Sequence, residues 1–288
     1  MRMLTYCRQG EVRFGAAVGS AVVDLSGRMP RFTSLKSLLA ADALAEAQDI
    51  VNGADADCPL SDIRWLPPVP DAGKIICIGV NYGNRNAEYG DATPAPAYPS
   101  VFMRSRESLT GHLEPLVRPP ESTQLDYEGE IALVIGRAGR RIPESRAREH
   151  IAGLTLVNEG SVRDWLRHSR FNVTPGKNFE RSGAAGPWLV TKDALPNFDE
   201  LRLTTKVNGE LRQNDHTGNL FFSFERLVSY LSTFMRLQPG DLIATGTPTG
   251  AGARLDPPQY LVPGDVVEVE VPEIGLLRNG VCDEDVAP

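Results

Sequence analysis

Apolar and polar positions alternate along most of this chain, and the period changes in only a few places. Glu11–Gly19 (EVRFGAAVG) and Ser20–Ser26 (SAVVDLS) alternate residue by residue, which predicts short strands curling into an antiparallel sheet. Ser34–Val51 (SLKSLLAADALAEAQDIV) switches to leucines and alanines at helical spacing and predicts a helical stretch. Leu66–Lys74 (LPPVPDAGK) is proline-rich and reads as a connection. Beyond it, Ile75–Gly83 predicts a short buried strand, and Val101–Ser105, Leu125–Gly136 and Ile151–Ser161 predict further strands separated by loops. Asn208-Gly209, between two alternating segments, predicts a hairpin with a type I′ turn. Phe222–Met235 carries helical apolar spacing and stops before Gln238–Asp241 (QPGD); Arg163–Phe171 predicts a short helix. The pattern is that of a strand-dominated α+β protein. A small N-terminal α/β domain over residues 1–68 precedes a larger domain over 69–288.

The chemistry concentrates in Leu125–Gly136, LDYEGEIALVIG. Glu128 and Glu130 are two residues apart, so on a strand both carboxylates face the same way, with Cα atoms roughly 6.5–7 Å apart. Gly129 leaves the opposite face bare, which suits a close backbone approach. Two adjacent anions repel unless a proton or cation neutralises them, and a hard divalent ion is the natural occupant: Mg²⁺ first, Mn²⁺ or Ca²⁺ next. A third carboxylate, Glu159, follows the apolar strand LTLV where it gives way to a loop, and completes a plausible oxygen-ligand set. The formal charge of −7 argues against a nucleic-acid partner. Apolar runs fall well short of the roughly 20 residues that span a bilayer. The first fifteen residues lack a signal-peptide core, so the expected location is cytoplasmic. The 4 cysteines and 4 histidines show no metal-ligand or disulfide spacing.

Six blocks in order carry a resemblance: IGVNYGNRNAE, LDYEGEIALVIG, NEGSVRDW, GKNFERSGAAGPW, QPGDLIATGTPTG and YLVPGDVVEVEVPEIGLLRN. Over residues 73–285 the chain resembles the fumarylacetoacetate hydrolase family in its bacterial short-chain branch. The resemblance implies a mixed β-sandwich or roll and a homodimer formed through the main domain. It implies a divalent metal, Mg²⁺ or Mn²⁺, on Glu128, Glu130 and Glu159, the last standing where the family usually has aspartate. Lys177 matches a lysine that polarises substrate oxygens, and Arg163 an arginine near the site. Thr247 matches a threonine that contacts the substrate carboxylate, and Tyr82 is assigned to substrate binding.

One stretch departs from the pattern. Hydrolytic members carry NYxxHxxE, whose histidine and glutamate activate water; here the stretch is NYGNRNAE, with Arg85 at the histidine position and Glu88 at the glutamate position. Arginine stays protonated and cannot act as a general base. It can instead pair with Glu88 or with a second carboxylate on the substrate. The segment Asn84–Ser100, rich in Asn, Gly, Ala and Pro, reads as a lid. Glu88 can itself activate water, and His112 and His216 are the alternative sources of an imidazole. The first reading is a metal-dependent C–C bond hydrolase of an acylpyruvate-type 2-oxo acid, of the fumarylpyruvate or maleylpyruvate kind, in aromatic catabolism. Isomerisation or decarboxylation of a 2-hydroxymuconate-type dicarboxylate or of oxaloacetate is the alternative. A non-catalytic metal- or ligand-binding relative is the third.

Overall fold

The computed structural model describes residues 1–83, 96–168, 172–195 and 197–285. Its N-terminal part consists of β1 (Arg2–Arg8), β2 (Glu11–Val18), β3 (Ala21–Asp24), β4 (Cys58–Pro59) and β5 (Arg64–Trp65). Two helices interrupt these strands: α1 (Leu35–Ala40) and α2 (Leu44–Gly53). Their sequence predicts a single helical stretch, and the structure divides it. Ser34 opens α1 with a reciprocal capping box. The Ala41 N–H then folds back on the last turn, and Asp42 takes φ +55°, a conformation aspartate tolerates, so the helix restarts at Leu44.

The remaining strands are β6 (Ile75–Gly79), β7 (Ser100–Arg104), β8 (Leu109–Thr110), β9 (Leu116–Arg118), β10 (Leu125–Asp126) and β11 (Gly129–Ile135). They continue with β12 (Ile151–Asn158), β13 (Ser161–Val162), β14 (Gly183–Thr191), β15 (Arg202–Val207) and β16 (Glu210–His216). The last three are β17 (Leu242–Ala244), β18 (Val266–Val271) and β19 (Gly275–Asp283). The larger sheet runs β4-β3-β2-β1-β14-β12-β11-β17-β6-β7. The N-terminal strands therefore belong to the same sheet as the rest, joined through Arg2↔Val190 and Met3↔Leu189. A second sheet runs β16-β15-β18-β19-β9. The whole is a strand-dominated α+β fold. No helix among the described residues is long and apolar enough to cross a membrane.

The centre of the large sheet explains the unbroken apolar run of β11. All seven of its residues are buried, because both faces are covered. Ile131, Leu133 and Ile135 belong to one hydrophobic cluster, and Ala132 and Val134 to another. Gly129 lies on the face turned to the second sheet, where a Cβ would stand 2.1 Å from Thr205 Oγ1 and 3.2 Å from a Val269 methyl. A side chain there would force the sheets apart. The predicted hairpin is present between β15 and β16, with Asn208 at φ +53° and Gly209 at +80°, as a type I′ turn demands. Helix α4 (Phe224–Phe234), the last of the chain after the short α3 (Thr174–Lys177), is capped by Ser223. It buries Phe224, Leu227, Val228 and Leu231 at helical spacing.

Strand direction gathers the site. β17 is parallel to β6 and antiparallel to β11, and β11 is antiparallel to β12. The carboxyl ends of β6, β12 and β17 therefore meet the amino end of β11 at one edge of the sheet, together with the start of β7.

Candidate active site

At that edge lies a cavity of about 700 Å³. Glu128, Glu130, Glu159, Arg163, Lys177 and Thr247 all line it, so six residues far apart in sequence are brought to one place. Glu128 immediately precedes β11 rather than lying within it, and its backbone N–H is held by Asn158 Oδ1 at 3.0 Å. Glu159 follows β12 directly, and its N–H donates to the Glu128 carbonyl at 2.8 Å. Lys177 ends α3, whose Gly176 packs so closely that a Cβ would lie 2.6 Å from the Val162 carbonyl.

The charged groups interlock. Lys177 Nζ donates to Glu128 Oε2 at 2.5 Å and to Glu159 Oε2 at 3.0 Å. Arg163 donates from Nη2 to Glu128 Oε1 at 2.9 Å and from Nε to Asp126 Oδ2 at 2.7 Å. Asp126 is itself held by the N–H groups of Gly252 and Ala253, which fixes the arginine. Arg104, with a fully buried side chain, donates to Glu159 Oε1 at 3.2 Å and to the Gly160 carbonyl at 2.7 Å. Glu130 accepts the Gly246 N–H at 2.8 Å and makes no ion pair among the described residues. Among the described residues, four carboxylates (Asp126, Glu128, Glu130, Glu159) thus face three cations (Arg104, Arg163, Lys177), a balance of −1 if all are ionised.

The electrostatics follow from burial and proximity. Burial first, then the Glu159 and Glu128 charges, push the Glu130 carboxyl well above its usual range, against the Gly246 N–H and Lys177. Burial alone would favour a neutral Lys177 amine, but Glu128 and Glu159 outweigh it and keep the ammonium. Thr247 lines the cavity, yet its hydroxyl is committed to the scaffold, donating to the Gly129 carbonyl at 2.9 Å and accepting from Gln213 Nε2 at 2.8 Å.

Two expectations are corrected. Tyr82 is fully buried and does not line the cavity: Val80 turns the chain inward at φ +50°, and Tyr82 bridges to Leu220 beneath the site. His112 and His216 supply no imidazole to the cavity. His112 accepts the Arg278 N–H at 3.1 Å and stacks edge-on against Trp65, while His216 is exposed at the end of β16. Arg85, Glu88 and most of the expected lid lie outside the described residues.

Arg104, Asp126, Gln213 and Gly246 were not anticipated. Asp126 alone carried a signal, since it stands two residues before Glu128 on the same alternating stretch. The other three come from distant parts of the chain, and only the fold reveals them.

The donor set suits a hard divalent cation: three buried carboxylates on one cavity, with Glu130 carrying the unbalanced charge. They are not drawn together around a point, however. Among the described residues no three His, Cys, Asp or Glu side chains are grouped to hold an ion. The reason lies in the contacts above, since Lys177 bridges Glu128 and Glu159 and the two arginines draw carboxylate oxygens aside. A bound cation would require Glu128 or Glu159 to turn from these partners toward Glu130.

Comparison with known proteins extends this picture. The family profile described as "Fumarylacetoacetate (FAA) hydrolase C-terminal" matches residues 74–282. The oxaloacetate tautomerase YisK of Bacillus subtilis is 40% identical over 225 residues, covering 77% of this chain and 74% of that protein. The solved fumarylacetoacetate hydrolase of Exiguobacterium antarcticum is 30% identical with a TM-score of 0.82, over 99% of this chain and 100% of that one. A maleylpyruvate hydrolase from Sphingobium sp. SYK-6, solved with manganese(II) and pyruvate, has a TM-score of 0.82 at 24% identity over 99% and 100% of the two chains, a likeness of fold.

Proposed function

This chain belongs to the fumarylacetoacetate hydrolase family of enzymes, and we propose that it is a divalent-metal-dependent tautomerase, moving a proton between the keto and enol forms of a small 2-oxo acid. One observation carries the choice over hydrolysis. None of the 4 histidines of the chain lines the cavity, so no imidazole is there to activate water. Arg85, at the position where hydrolytic relatives carry histidine, points the same way. The likeness to an oxaloacetate tautomerase supports the reading.

When bound by Glu128, Glu130 and Glu159, a divalent cation (Mg²⁺ or Mn²⁺) would supply Lewis acidity to the 2-oxo group. The rest falls to the chain's own residues. Lys177 Nζ, kept protonated by Glu128 and Glu159, donates toward the oxygen on which enolate charge develops. Arg163, pinned by Asp126, holds Glu128 in place. Thr247, anchored by Gln213, presents its backbone to the substrate carboxylate. A homodimer through residues 69–288 belongs to the same reading and is supported by the family resemblance.

The test is product analysis by NMR with metal-loaded protein. Oxaloacetate enol should equilibrate with its keto form faster than in an EDTA-treated control, and acylpyruvates should keep their carbon skeleton. Release of pyruvate from an acylpyruvate would replace this reading with hydrolysis.

A further inference from the structure

Behind Glu159, and not lining the cavity, sits a guanidinium that the proposed chemistry does not use. Arg104 ends β7, and its side chain is fully buried. Arginine carries five N–H groups in a rigid fork, and each finds an acceptor here. Nε donates to Ser108 Oγ at 3.0 Å. Nη1 donates to Glu159 Oε1 at 3.2 Å and to the Gly160 carbonyl at 2.7 Å. Nη2 donates to Ser182 Oγ at 3.0 Å and to the Ser108 carbonyl at 3.3 Å. Ser108 is fixed in turn, its hydroxyl donating to the Ser105 carbonyl at 2.7 Å. Gly183 makes room for the fork, since a Cβ there would lie 3.0 Å from Arg104 Nη2 and 2.6 Å from the Asn158 carbonyl. Of the groups that accept from Arg104, Glu159 alone is a carboxylate. An apolar side chain of similar volume could pack these turns together without burying a charge, so the guanidinium points to a task at Glu159.

Glu159 divides its two oxygens. Oε1 goes back to Arg104, while Oε2 goes to Lys177 at 3.0 Å on the cavity side. Lysine is a point charge on a flexible stem and can let a carboxylate go; the saturated arginine fork cannot follow one that moves. Glutamate also has one more rotatable bond than the aspartate usual at this position, and a fixed oxygen removes that freedom before a ligand arrives. We propose that Arg104 is a positioning residue. It anchors Glu159 by Oε1, so that the carboxylate turns about that oxygen and presents Oε2 to the divalent cation, loosening one of the two carboxylates that hold Lys177. The inference rests on the cation site proposed above, and not on which reaction follows.

Mn²⁺ affinity, read by electron paramagnetic resonance, tests this apart from turnover, with thermal unfolding to check folding and NMR to follow oxaloacetate. Arg104→Lys keeps the charge but loses the fork, and should weaken Mn²⁺ binding by roughly 10-fold or more. Ser182→Ala frees Nη2 while leaving the guanidinium in place; it should shift affinity the same way by less, and it serves if the lysine variant does not fold. In a Glu159→Asp background the shorter carboxylate falls short of Nη1, so the effect of Arg104→Lys should shrink below roughly 2-fold. Equal losses in both backgrounds would make Arg104 a prop of the fold and overturn the proposal, as would unchanged affinity in folded Arg104→Lys protein. Failure of the unmodified protein to bind Mn²⁺ would overturn the cation site and this role with it. The expected coupling without tautomerisation of oxaloacetate would keep the role of Arg104 and overturn the tautomerase alone.

Discussion

Two clusters of charge, one half-exposed in the N-terminal strands and one buried at the cavity, behave in opposite ways. In the N-terminal strands, Asp24 accepts from Tyr6 Oη at 2.6 Å, Arg13 at 2.9 Å and the Gly27 N–H at 2.8 Å. Asp57 beside it pairs with Arg28 at 2.6 Å. Burial would raise the Asp24 carboxyl, but Tyr6, Gly27 and Arg13 outweigh burial and hold it below the usual range. At the cavity, cations satisfy Glu128 and Glu159, while Glu130 is left with one backbone N–H and two neighbouring anions. The buried carboxylate of the first cluster is met by a cation and by N–H and O–H donors, whereas Glu130 of the second has no cation partner among the described residues.

The largest effect should come from breaking the unbalanced cluster. Glu130→Gln keeps shape and one acceptor but removes the surplus charge, so turnover should fall at least roughly 1,000-fold while the unfolding temperature stays level or rises. Steady-state kinetics and thermal unfolding read both, and retained activity would remove the cluster from catalysis. The N-terminal cluster should respond in reverse. Asp24→Ala strands the Tyr6 hydroxyl and the Gly27 N–H, costing about 2–3 kcal/mol in denaturant unfolding with kcat unchanged.

A third effect is set by pH. Burial, then the Arg278 charge, lowers the His112 imidazole to about 4. A folded-state value below the unfolded one means the stabilisation is complete above about pH 6.5 and is lost as pH falls toward 4. The unfolding free energy from denaturant titrations should drop by roughly 2 kcal/mol across that window, and His112→Asn should flatten the slope. Asp24 gives a separate decline, since its stabilisation is present above the unfolded carboxylate value of about 3.9 and is lost as pH falls below it. The smallest effect is Tyr6→Phe, about 1 kcal/mol in unfolding, because Asp24 keeps Arg13 and Gly27.

The same contrast marks what the sequence disclosed. Contiguous features were legible: the apolar strand after Glu128, the bare face of Gly129, the Asn208-Gly209 turn and the apolar stripe of α4 all rest on local spacing. The strand-dominated α+β class and the six cavity-lining residues also followed from sequence, the latter through the family resemblance. What escaped was non-local. Arg104 reaches Glu159 across 55 positions, Gln213 reaches Thr247 across 34, and Gly246 reaches Glu130 across 116. No periodicity encodes such contacts. Tyr82 was misplaced because a neighbour's positive φ, invisible in a valine, turns the chain inward there.

The central claim is that the deficit at Glu130 holds a divalent cation, and it is tested most directly by titrating Mn²⁺ into the unmodified protein and the Glu130→Gln variant, with free Mn²⁺ read by electron paramagnetic resonance. The account predicts one saturable Mn²⁺ per chain in the unmodified protein and loss of that site in the variant. Absence of stoichiometric binding, or equal binding by both, would contradict it.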